Sequence, residues 1–197
     1  MSELAVDGLG NDRLLLGPGL NPAERRTFVA LAFGHLLFAA ALFTVAKGLG
    51  ENAIYYLTPL FGLPLLLVAP RERIAARAFV VLIGFAAVHY GATAIAQQSY
   101  AFPFTGDGFT SSEGLCGAIG GAIGAVGSFG LCALLGLLRP RPYVMLAVGT
   151  LVLSGLGGLG VTLWLMEKAP EAIAPMLWLY TPWQLAFAYF LAKTLKP

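Results

Sequence analysis

Two histidines, His35 and His89, are the side chains in this 197-residue chain whose chemistry is most versatile. An imidazole can move a proton, ligate a haem or pigment, or hydrogen-bond a neighbouring helix. Each lies inside an apolar stretch, and Gly34 and Gly91 beside them would let a flat macrocycle approach. Thr93 and Gln184 offer neutral hydrogen-bonding groups in similar surroundings, as do Thr58, Gln97 and Gln98, while Tyr55 and Tyr56, near a span end, fit the aromatic belt better than a path. Such residues suit a path for a small neutral or weakly polar solute better than a charged one. Glu51, Glu113 and Glu167 reach only the margins of the apolar stretches, so proton coupling would have to use histidine.

Two small-residue turns have the shape of a nucleophile site: Gly114-Leu115-Cys116-Gly117 and Gly127-Ser128-Phe129-Gly130. A nucleophile needs a base, and both histidines precede these segments with nothing to pair them. No catalytic residue is therefore expected. Cys116 and Cys132 would stand ~24 Å apart on one helix, too far to bridge. No cluster of carboxylates, thiols and imidazoles suggests a metal.

The elements that position these residues follow from composition. Apolar residues make up 58% of the chain and charged ones 11%, with 12 Lys and Arg against 10 Asp and Glu. A soluble domain carries roughly 25% charged residues, so an all-α integral membrane protein is expected. The net charge of +2 is too small to suggest nucleic acid. Crossing a hydrocarbon core takes about 20 apolar residues. Six stretches qualify, at 27–46, 52–69, 74–97, 114–138, 142–166 and 172–192. They form one transmembrane domain over 27–192, preceded by an arm at 1–26 and followed by a tail at 193–197. Basic residues orient it. With the N-terminus inside, Arg13, Arg25, Arg26, Arg71, Arg73, Arg77, Arg139, Arg141, Lys193 and Lys196 face the cytoplasm, and only Lys47 and Lys168 face out. Both termini are then cytoplasmic, as an even number of spans requires. Arg-rich, Ala- and Gly-rich usage suggests a bacterial cytoplasmic membrane.

Asn21-Pro22-Ala23-Glu24 and Thr110-Ser111-Ser112-Glu113 carry helix-start signals before the first and fourth spans. In the fourth span Gly114, Gly117, Gly121, Gly124 and Ser128 share one quarter of the helix surface. That smooth face predicts close packing, within the chain, between copies in a homo-oligomer, or against a membrane-complex partner. The fifth span scatters Gly149, Gly155, Gly157, Gly158 and Gly160 around its axis, which predicts a pliable segment. Pro59 predicts a break in the second span, and Pro182 a kink in the sixth. Paired breaks at Pro59 and Gly157-Gly158 point to an outward-facing cavity. The loop 98–113 interleaves Tyr100, Phe102, Phe104 and Phe109 with Gly and Pro, as a headgroup-layer segment or a lid would.

Together these features predict a six-helix permease or channel-like protein in contact with the lipid bilayer. Its path would run between the second, third, fifth and sixth spans, near His89, Pro59 and Gly157. The rival readings are a non-catalytic subunit or assembly factor docking through 114–138, and a haem- or pigment-binding protein using His35 and His89 as axial ligands.

Overall fold

The computed structural model describes residues 19–49, 53–64, 66, 78–99, 112–166 and 173–196. The arm at 1–18, loop residues 100–111, and the basic residues Arg71, Arg73, Arg77 and Lys168 lie outside the described residues. Six helices account for nearly all the rest: α1 (Pro22–Leu49), α2 (Ala53–Gly62), α3 (Ala78–Ser99), α4 (Ser112–Leu134), α5 (Tyr143–Met166) and α6 (Ile173–Thr194). Three of them, α1, α4 and α5, are long and apolar enough to cross a membrane, and α3 holds the shorter apolar stretch Val80–Ala96.

Local chemistry sets several helix ends. Asn21 Oδ1 accepts the Glu24 amide at 2.9 Å while Glu24 Oε2 accepts the Asn21 amide at 3.0 Å. This reciprocal cap satisfies donors that the first turn of α1 leaves open, with Pro22 at the first helical position, where no donor is needed. At the other end of the fourth stretch, α4 stops at Leu134 because Gly136 takes the left-handed conformation at φ 70°. The Gly136 amide then meets the Ala133 carbonyl and the Leu137 amide the Cys132 carbonyl, at 2.9 Å each. These are the two bonds that close a helix through a left-handed glycine.

Each helix packs on its neighbours in sequence, and α6 returns to α1. Where paired contacts fix the direction, neighbours run antiparallel: Gly84 faces Leu131 while Gly120 faces Ala96, Gly117 faces Val161 while Gly121 faces Leu153, and Gly149 faces Phe190 while Gly160 faces Leu179. The six helices among the described residues therefore close into a ring. Its interior is filled, and Phe187 is fully buried there. Its ring lies 5.8 Å from Phe61 on α2, 6.2 Å from Phe85 on α3 and 5.2 Å from Phe129 on α4. Outward, large apolar side chains such as Phe33, Leu36, Val126, Leu151 and Leu159 are exposed. That is the exterior expected of a surface facing hydrocarbon rather than water.

Two expectations about breaks are corrected. The α-helix runs through Pro59 to Gly62, and the chain turns at Leu63–Pro64 instead. A proline ring removes one donor, here the one aimed at the Tyr55 carbonyl, but a single missing bond does not end a helix packed on both sides. Helix α5 is continuous through Gly157-Gly158. Its glycines serve packing, since Gly149, Gly157 and Gly160 each admit a different neighbour: the Phe190 ring, Gly117 with Gly121, and Leu179. Scattered glycines serve several packing faces at once. Helix α6 remains α-helical through Pro182, the position of the expected kink.

One end of the ring is tied by charge. Glu24, the start of α1, meets Arg139 of the α4–α5 turn and Lys193 near the end of α6, both at 3.2 Å. Lys193 also donates to the Gly19 carbonyl. An antiparallel bridge joins Leu138 to Leu195, and Arg139 Nε donates to the Leu195 carbonyl at 2.8 Å. These contacts gather the first helix start, the α4–α5 turn and the chain's last residues on the same side.

Candidate functional site

On the far side of Phe187 from this charged end, α6 turns two polar side chains toward two other helices. Tyr180 and Gln184 are four residues apart and share a helix face. Gln184 Oε1 lies 2.6 Å from His35 Nδ1 on α1, and both residues are buried. A carbonyl oxygen only accepts, so the Nδ1–H donates to it. Tyr180 Oη stands 3.4 Å from His89 Nε2 on α3, a long contact, with the two rings 5.7 Å apart. The Phe38 ring packs on Tyr180 at 5.4 Å. Rising ~1.5 Å per residue, α6 puts Gln184 ~13 Å and Tyr180 ~20 Å from Lys193.

Trp183 completes the row. Its indole stacks on Phe187 at 5.4 Å and an interplanar angle of 7°, and its edge lies against the space that a Cβ at Gly124 would take. Its Nε1 is buried and has no hydrogen-bond partner among the described residues. An indole N–H can only donate, so this atom suits an acceptor arriving from elsewhere. The row thus offers a buried donor at Trp183 beside the Tyr180 hydroxyl and the His35 and His89 imidazoles. Those groups can hydrogen-bond a small solute that carries both a donor and an acceptor.

The residues singled out in the sequence divide between this row and the packing of the ring. His35, His89 and Gln184 come together through α6. Thr93 Oγ1 instead donates to the His89 carbonyl of its own helix at 3.0 Å. Pro59 is half-buried on α2, and its carbonyl accepts the Leu63 amide at 3.0 Å. Gly157 faces Gly117 and Gly121 across the α4–α5 interface, and the Gly158 carbonyl accepts Thr162 Oγ1 at 2.9 Å. The smooth face of α4 is filled within the chain, by α5 at Gly117 and Gly121 and by Trp183 at Gly124; Ser128 is buried on it. A partner or second copy would have to meet α4 elsewhere. The space beside Gly34 is likewise taken, by the Phe61 carbonyl and the Pro64 ring, so α2 rather than a macrocycle approaches there. At Gly91 a Cβ would meet nothing within 4 Å. The Cys116 thiol donates to the Ala96 carbonyl of α3 at 2.9 Å, and Cys132 is buried. The side chains of Tyr55 and Gln97 lie outside the described residues.

Sequence reasoning passes over Trp183 and Phe187. The signal for them is present: Tyr180, Trp183, Gln184 and Phe187 fall at the three- and four-residue spacing of one helix face. Comparisons with protein-family profiles, with curated proteins and with solved structures find no match for the chain.

Proposed function

We propose that the chain is a six-span protein of a bacterial cytoplasmic membrane, with both termini cytoplasmic, and that it passes a small neutral or weakly polar solute through the ring. One observation carries this reading. Inside an apolar ring, the polar groups of His35, Gln184, Tyr180, His89 and Trp183 gather around one face of α6. Polar groups at this depth cost stability unless they are paired, and they concentrate where proteins handle polar cargo. The proposed orientation draws support from the charged end, where the α1 start, the α4–α5 turn and the α6 end meet. Positive-inside bias assigns those same segments to the cytoplasm.

The solute would enter from the outer side, displace or extend the Gln184–His35 bond, and be held by Trp183 Nε1 and Tyr180. Phe187 and the rings around it seal the row from the cytoplasmic end. Passage therefore needs α6 to shift Phe187 away from Phe61, Phe85 and Phe129.

The test is stopped-flow equilibration of glycerol and of urea across proteoliposomes holding the full chain. Protein is expected to speed equilibration of at least one solute over empty vesicles. Gln184→Leu should cut the protein-dependent rate about tenfold, the kinetic equivalent of one hydrogen bond. Equal rates with and without protein would overturn the reading. A Soret band in the purified protein, lost in His35→Ala, would instead assign the row to axial ligation.

A further inference from the structure

The first three turns of α1 carry a second feature, on the outside of the ring. An open groove of about 700 Å³ lies there, lined by Leu20, Arg25, Arg26, Val29 and Phe33 among others. Arg25 and Arg26 are exposed, and neither makes an ion pair among the described residues. The one acidic residue of that turn, Glu24, is buried and engaged by Arg139 and Lys193 on the inner side. The groove therefore presents two guanidinium groups with no carboxylate in its lining.

An apolar track continues from it. Val29, Phe33 and Leu36 are 57%, 53% and 61% exposed. At ~100° per residue, Arg25, Val29, Phe33 and Leu36 fall within roughly 80° of arc, so they make one stripe along α1. From Arg25 to Leu36 the stripe is ~16 Å long, about half of a ~30 Å hydrocarbon core and thus the depth of one leaflet. A charged head and an apolar track of leaflet length match the two ends of a phospholipid. Guanidinium groups meet phosphate oxygens through paired N–H donors, which a phosphate without a neighbouring cation accepts best.

We propose that this groove binds an anionic phospholipid, with Arg25 and Arg26 on its phosphate and an acyl chain along Val29, Phe33 and Leu36. The inference rests on α1 standing in a bilayer, and it does not depend on any solute passing through the ring. A negative flux result leaves it standing, and a negative lipid result leaves the flux reading standing.

Native mass spectrometry of the full chain in detergent, titrated with phosphatidylglycerol or phosphatidylcholine of matched chains, tests it. The unaltered protein is expected to retain phosphatidylglycerol about 30-fold more tightly, the worth of two basic residues near an anionic headgroup. Arg25→Gln with Arg26→Gln should bring the two lipids to parity, with the unfolding midpoint unchanged because both side chains are exposed. Arg141→Gln, an exposed arginine outside the groove, should leave the preference intact. Equal retention of both lipids by the unaltered protein would overturn the proposal. So would a preference that survives the double substitution, which would put the lipid elsewhere.

Discussion

Glu24→Gln is expected to destabilise the protein by about 3–5 kcal/mol, the typical cost of removing one partner from a buried ion pair. The lower half of that range is the better expectation, because Arg139 is 24% exposed and water screens its share. Lys193 has no such relief, since its side chain is 2% exposed. Without the carboxylate it keeps the Gly19 carbonyl, a neutral partner for a full charge. Glutamine retains an oxygen for the Asn21 amide, so the helix cap survives and the loss reports charge alone. At about 2–4 °C per kcal/mol for a chain this size, the unfolding midpoint should fall by roughly 6–16 °C. Lys193→Met in the same background should restore part of the loss, because it removes the stranded cation and leaves a hydrophobic isostere. A midpoint within 1 or 2 °C of the unaltered protein for Glu24→Gln would show that the triad carries no net stability.

That triad also marks where sequence reasoning stops. The spacing of Asn21, Pro22 and Glu24 announces a helix start, and the structure forms the cap that this spacing implies. Nothing in the same residues announces that the Glu24 carboxylate is shared with Lys193, because that contact depends on α6 returning to α1. Local signals are legible when their partners are three or four residues away. The same limit applies to the polar row. His35, His89 and Gln184 stand out as polar groups in apolar stretches, yet their meeting on α6 is a consequence of ring closure. The glycines show the limit from the other side. A glycine in an apolar segment is compatible with a break, a flexible point or a close contact. At Gly157 the choice is made by Gly117 and Gly121 on the neighbouring antiparallel helix. The helices among the described residues are legible because their apolar stretches are bounded by proline, glycine or charge.

The contact between α4 and α5 makes the sharpest contrast available within one helix. Gly157→Ala should destabilise the protein while Gly155→Ala, two residues away, should not. A Cβ at Gly157 would overlap the Gly117 carbonyl and stand 3.0 Å from the Gly121 Cα, both of them backbone atoms. Backbone cannot rotate aside as a side chain does, so relief requires the two helices to separate along their whole contact. Separation would also stretch the bond from Ser154 Oγ to the Ala118 carbonyl, now 2.9 Å. Overpacking of this kind costs about 1–3 kcal/mol. At Gly155 a Cβ meets nothing within 4 Å, and alanine is the better helix former by up to about 1 kcal/mol. The two substitutions should therefore shift the unfolding midpoint in opposite directions, with Gly121→Leu more damaging than either. Its Cβ would strike the Leu153 carbonyl, and the rest of the side chain would have no room between the helices. Equal effects at positions 155 and 157 would mean that the glycines act through helix propensity alone. The α4–α5 contact would then tolerate a wider spacing than the close approach of Gly117, Gly121 and Gly157 implies.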